Sequence, residues 1–139
     1  MTVMISPTAD LATCRALRRT VFIEEQGVSE ADEIDDLDGV AVHLLATVGG
    51  VPTGCARIVP GTGYAKVGRV CVLAAARGTG LGAALMRAAV EECRARGYAQ
   101  VRLGAQVRAL GFYERLGFVA QGPVFDDAGI PHREMVLAL

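Results

Sequence analysis

The chain has 139 residues, 52% of them apolar, and its 14 Lys and Arg against 15 Asp and Glu give a net charge of −1. That length suits a single domain over 1–139, and the charge balance offers no global attraction for nucleic acid or anionic lipid. The mean hydropathy of +0.36 is high, yet no apolar run approaches the roughly 18 residues of a membrane span, so no membrane partner is expected.

Met1–Pro7 lacks the basic flank and long apolar stretch of a signal peptide. Cys14, Cys55, Cys71 and Cys93 form no C-x-x-C pair. A cytoplasmic protein with reduced thiols and no metal is therefore expected.

Val3–Ile5 reads as a first strand, and Ser6-Pro7 as the cap and first position of a helix. Leu11, Cys14, Leu17 and Val21 recur at three- and four-residue steps, one apolar face of a helix ending near Gly27. Glu24, Glu25, Glu30, Asp32, Glu33, Asp35, Asp36 and Asp38 follow with no Lys or Arg between Thr20 and Ala56. This acidic stretch reads as a solvated loop or short helix. It either steers a cationic ligand or serves only as a soluble surface.

Val40–Val48 and Val51–Val59 are apolar, β-branched runs joined by Gly49-Gly50, a hairpin signal. A strand at Val67–Leu73 leads through a glycine-rich loop into a helix from Thr79 to Arg96, stopped by Gly97. Val101–Ala105 is a strand, Arg108–Leu116 a helix, and Phe118–Phe125 and His132–Leu139 are strands around an Asp126–Gly129 turn. This order predicts an α/β protein: a mixed central sheet of about six to seven strands, flanked by helices on both faces. The passage from Val67 to Ala105 is its parallel, right-handed unit. A dimer through strands at the sheet edge is one arrangement that pattern allows.

The segment Arg77-Gly78-Thr79-Gly80-Leu81-Gly82 opens the long helix. Free N–H groups at a helix start, the positive end of its dipole and an arginine together suit a pyrophosphate. A Walker loop is excluded because no Lys follows the last glycine. Gly78, Gly80 and Ala83 satisfy a dinucleotide fingerprint formally. The acid expected about 20 residues later is missing from Gln100–Ala105, which argues against that reading.

The glycine segment resembles the pyrophosphate motif of the GNAT N-acetyltransferases. Phe112-Tyr113-Glu114-Arg115-Leu116-Gly117-Phe118 resembles that family's tyrosine segment, in the order the family uses. Val21–Gln26, Asp35–His43, Gly104-Ala105-Gln106 and Gly129–His132 are similar to its ElaA/YjcF-like subgroup. The resemblance covers essentially the whole chain. It implies a GNAT fold with the coenzyme in a splay between the strands around 67–73 and 100–105.

The implied reaction is transfer of an acetyl group from acetyl-CoA to an amine, directly in a ternary complex. A non-catalytic acyl-CoA sensor is the alternative. Backbone groups of Val70, Cys71 and Val72 would pair with the pantetheine arm, and the N–H of Val72 or its neighbour would stabilise the oxyanion. The N–H groups of Arg77, Gly78, Thr79, Gly80, Leu81 and Gly82 would hold the pyrophosphate. Gln106, where relatives carry Asn, would reach the coenzyme. Tyr113 would protonate the departing thiolate. Glu24, Glu25, Asp35 and His43 are candidates for the base, Glu25 and His43 foremost. His132 reads as a structural strand residue. Cys71 lies on the thioester strand, but no neighbour in sequence would activate its thiol.

Overall fold

The computed structural model describes residues 2–139. Seven strands form one sheet: β1 (Val3–Thr8), β2 (Val42–Val48), β3 (Val51–Pro60), β4 (Tyr64–Val72), β5 (Gln100–Gln106), β6 (Val119–Asp127) and β7 (Ile130–Ala138). Their order across the sheet is β1-β2-β3-β4-β5-β7-β6, and only the β4–β5 pair is parallel. Four helices accompany them: α1 (Leu11–Arg18), α2 (Glu30–Glu33), α3 (Leu81–Ala95) and α4 (Leu110–Arg115). No helix among the described residues is long and apolar enough to cross a membrane.

The helices cover both faces. Leu85, Met86, Ala89 and Cys93 of α3 pack on Leu44, Ile58, Val67, Val101 and Met135 of the sheet. On the other face Cys14, Leu17 and Val21 cover Cys55 and Cys71. Strand alternation produces this division, since Cys55 and Ala56 are neighbours in β3 and belong to opposite clusters.

Several boundaries depart from the sequence reading: β2 begins at Val42, β4 at Tyr64 and β7 at Ile130, and the first helix begins after Ser6-Pro7. Ser6 and Pro7 continue β1 as far as Thr8 and do not cap a helix. β1 is an edge strand, where a proline's missing N–H costs nothing. The cap is Asp10, whose Oδ1 accepts from the Thr13 N–H at 3.2 Å. After Arg18 the chain widens into π-type turns from Arg19 to Glu25, ending at Gly27 with φ +73°. The hairpin at Gly49 and Gly50 forms as expected, with φ of +58° and +81°.

The feature that positions the site is a divergence within the sheet. β4 pairs with β5 only at Tyr64–Gln100, Ala65–Val101 and Lys66–Arg102, and from Val67 onward the two strands part. β5 stays paired to β7 as far as Gln106–His132. Opposite β3, β4 carries one extra residue between Gly68 and Cys71. Arg69 sits in this bulge at φ +48°, a left-handed conformation unusual for a residue with a Cβ.

Candidate active site

The parting strands leave the β5-facing edge of Val67–Val72 without a strand partner, inside a sheet otherwise paired. Such an edge presents backbone donors and acceptors to whatever fills the gap. The loop after β4 begins with the Leu73 N–H bonded to Thr53 O at 2.9 Å and a tight 3₁₀ turn over Ala74–Ala76. Gly78 and Gly80 have φ of +79° and +87°, and a Cβ added at either would meet nothing within 4 Å. The loop is therefore open on its outer side. The first intrahelical bond of α3 is Ala84 N–H to Gly80 O at 3.0 Å, which leaves the N–H groups of Leu81, Gly82 and Ala83 free of helical partners.

Arg77 braces this loop. Its Nε donates to Val72 O at 3.0 Å, and its Nη1 and Nη2 reach Glu25 Oε2 and Oε1 at 2.8 and 3.0 Å. Glu25 is thereby tied to the glycine loop. It lines a cavity of about 540 Å³ together with Gln26, Arg77, Gln106 and Arg108. That cavity does not include Tyr113.

Tyr113 lines an adjacent groove of about 470 Å³, along with Arg57, Arg69, Val70, Phe125 and His132. Gln26 and Gln106 line both spaces and are hydrogen-bonded to each other at 2.9 Å, a bar between them. Gln106 Oε1 also accepts from Arg108 Nε at 2.9 Å. Tyr113 packs edge-on to Phe112 and Phe118, with ring centroids at 5.0 and 6.0 Å. Burial raises its pKa above the ordinary phenol value, so it is protonated at neutral pH.

The acidic stretch is not the free surface its sequence suggests. Arg18, on the apolar face of α1, donates through Nε to Glu33 at 2.5 Å and through Nη1 to Asp38 at 2.8 Å. Arg57 in β3 donates to Asp35 at 2.7 and 2.6 Å and to Asp38 at 3.0 Å. Arg15 reaches Asp38 at 3.2 Å, and Arg69 reaches Asp35 at 3.3 Å. Glu30 pairs with Arg19. Among the described residues, only Glu24, Asp32 and Asp36 of the eight acids stand outside an ion pair. Arg57 lies within an apolar strand run and Arg18 on an apolar helical stripe; a lone arginine in each was the signal available in sequence.

The candidate bases separate accordingly. Asp35 is held at a pKa of about 2 by its hydrogen bonds from Arg57, which makes it a poor proton acceptor. His43 is buried in β2, and its Nε2–H donates to Asp38 O at 2.9 Å; the structure does not bring it to the groove. Glu24 is exposed and lines neither cavity. His132 does line the groove, opposite Gln106 and stacked on Phe125 at 5.8 Å. Its Nδ1–H donates to Ile130 O at 2.7 Å, so in the neutral ring Nε2 keeps its lone pair.

Cys71 is buried beneath α1, with its Sγ 3.5 Å from Cys55 Sγ, and lines neither cavity. Among the described residues no group of three or more His, Cys, Asp or Glu side chains is arranged to hold a metal.

Residues 13–139 match the family model described as an acetyltransferase (GNAT) domain. The N-acetyltransferase YjcF of Bacillus subtilis is 36% identical over 121 residues, covering 86% of each chain. An acyl-CoA N-acyltransferase from Pseudomonas aeruginosa superposes with a TM-score of 0.86 at 33% identity, over 99% of both chains. ElaA of Escherichia coli gives 0.86 at 28% identity, over 97% of this chain and 99% of that one.

Proposed function

The chain belongs to the GNAT acetyltransferase family, and from that premise we propose that it moves an acetyl group from acetyl-CoA to an amine by direct attack within a ternary complex. The carrying observation is the unpaired backbone edge of Val67–Val72, which runs straight into the glycine loop and the start of α3. An extended pantetheine arm completes that edge as a strand would, against the backbone of Val70, Cys71 and Val72. The N–H groups from Gly78 through Thr79 and Gly80 to Gly82 take the pyrophosphate, with the Arg77 guanidinium beside them; the Arg77 N–H is held by Ala74 O at 3.2 Å. The open space outside Gly78 and Gly80 fits that approach.

In the reaction a neutral amine attacks the thioester carbonyl. The N–H of Val72 stabilises the oxyanion that develops as the C–N bond forms, and the C–S bond breaks as that tetrahedral intermediate collapses. Tyr113 protonates the departing thiolate, and His132 Nε2 accepts the proton lost by the amine, directly or through water. Of the bases favoured on sequence, Glu25 is engaged by Arg77 and His43 by the Asp38 backbone carbonyl, which supports His132 in this role. The burial of Cys71 favours direct transfer over a covalent relay.

The test is binding followed by turnover. Acetyl-CoA at a hundredfold excess over its Kd stabilises the fold by about 2–3 kcal/mol, and NAD and ATP do so far less. Thiol release on adding amines then separates an enzyme from a sensor. A larger thermal shift with NAD would overturn the reading.

A further inference from the structure

The groove holds a polar arrangement that acetyl transfer alone does not require. Two guanidinium groups line it, Arg57 from β3 and Arg69 from the β4 bulge. Arg57 spends Nη1 and Nη2 on Asp35 and Asp38, and its Nε is buried without an acceptor. Arg69 makes three contacts, all through Nη2: to Asp32 O at 3.4 Å, Glu33 O at 3.0 Å and Asp35 Oδ2 at 3.3 Å. Its Nε too is buried without an acceptor. A buried donor left unmade is costly, and buried polar groups normally find a partner.

Arg15, Arg18, Arg57 and Arg69 face three carboxylates, Glu33, Asp35 and Asp38. Asp35 already accepts from two arginines and from the Leu37 N–H, so it has little left to give. Burial, and then the neighbouring Arg57, push the Arg69 pKa below the ordinary guanidinium value. The backbone strain at Arg69 has a use on this account: the bulge turns its side chain toward α2 and the groove.

The remaining charged groups lie at the rim. Among the described residues Lys66, Asp32 and Asp127 are exposed and outside any ion pair, and His132 and Tyr113 share the same lining. Phe22, Val28, Leu37, Val59, Leu103 and Phe125 add apolar lining. Guanidinium donors, unpaired carboxylates and hydrocarbon in one groove complement a molecule with a carboxylate, an amine and an apolar side chain.

We propose that the acceptor is an amino acid with an apolar side chain, its carboxylate seated on Arg69, whose Nη1 makes no hydrogen bond among the described residues. Arg69 precedes Val70, on the strand that faces the coenzyme, so the short reach from a carboxylate to an α-amine brings the nitrogen toward the thioester. The inference rests on the acyl-transfer reading and names the substrate class of that same groove.

The probes are phenylalanine, phenethylamine, which lacks the carboxylate, and phenylalaninamide, which neutralises it. Each is offered with acetyl-CoA while thiol release is followed. Phenylalanine is expected to exceed both analogues in kcat/KM by about tenfold or more, the size of a charge-assisted hydrogen bond. Arg69→Ala lowers kcat/KM for phenylalanine by about tenfold to a hundredfold more than for phenethylamine. A measurement on the unaltered protein needs no variant to fold: 3-phenylpropanoate competes with the acceptor, and 3-phenylpropanamide does not. Equal rates with phenylalanine and phenethylamine, or equal inhibition by the acid and its amide, overturn the inference and leave acyl transfer standing. If acetyl-CoA binds but none of the three is acetylated, the inference is likewise overturned. If acetyl-CoA itself fails to bind, the acyl-transfer reading falls with it.

Discussion

Asp38→Asn isolates the buried ion-pair network. Asp38 Oδ1 accepts from Arg18 Nη1 at 2.8 Å and Arg57 Nη1 at 3.0 Å, and Oδ2 accepts from Arg15 Nε at 3.2 Å. The Asp38, Arg18 and Arg57 side chains are 2%, 1% and 6% exposed. Burial alone would raise the pKa of this carboxyl, but the bonds from Arg18 and Arg57 outweigh it and hold the group far below its ordinary value. The amide keeps the shape and one acceptor while removing the charge, and it turns an NH₂ toward one of the guanidinium donors. Two arginines are then buried with only Glu33 and Asp35 to balance them. Breaking a buried pair in this way costs about 3–5 kcal/mol, and the retained acceptor places Asn near the lower figure. With an unfolding entropy of about 0.3 kcal/mol/K for a chain of this size, Tm falls by about 10 °C. Thermal unfolding followed by far-UV circular dichroism measures this, since the chain has no Trp to report by fluorescence. Asp36→Asn is the control, because Asp36 is exposed and unpaired and its loss stays within about 0.5 kcal/mol. A loss below about 1 kcal/mol for Asp38→Asn would refute the network as a structural element.

Tyr113→Phe lowers kcat by about tenfold to a hundredfold in single-turnover assays, with acetyl-CoA affinity nearly unchanged because the ring remains. His132→Gln lowers kcat by about a hundredfold or more while His43→Gln keeps it within a few-fold; the reverse ranking would restore His43 as the base. Glu25→Gln frees Arg77 for phosphate and tightens acetyl-CoA binding by up to about fivefold, the worth of a partly exposed ion pair, measured by calorimetry. A kcat loss of about a hundredfold in that variant would instead mark Glu25 as the base. The hydrogen bonds from Arg57 lower the Asp35 pKa from 3.8 to about 2. Because the folded value lies below the unfolded one, this stabilisation is complete above about pH 4 and is lost as pH falls toward about 2. Urea midpoints across that window fall in the unaltered protein and fall less steeply in Asp35→Asn, where Asp38, also held below its ordinary value, still contributes.

Local chemistry made much of the fold legible. Gly49-Gly50 fixes a hairpin because both residues adopt positive φ, and Gly97 ends α3 for the same reason. The glycine loop and the helix behind it were readable because anion sites of this kind are built from consecutive backbone groups. Spacing along one segment is enough to find them.

What sequence could not order was the pairing of side chains far apart in the chain. The acidic stretch looked unopposed because its partners Arg18, Arg57 and Arg69 lie 15 to 37 residues away. Only the packing of α1 and α2 against β3 and β4 brings them together, in an interior where unpaired charge is costly. The same packing took His43 to Asp38 and Glu25 to Arg77, and placed His132 in the groove. The gap between β4 and β5 likewise has no local signature beyond its strands. β4 leaves β5 after Lys66, just ahead of the bulge at Arg69, while β5 follows β7. Residue types and spacing determined which backbone could cradle a pyrophosphate; the tertiary structure decided which charged side chains were left free to meet a substrate.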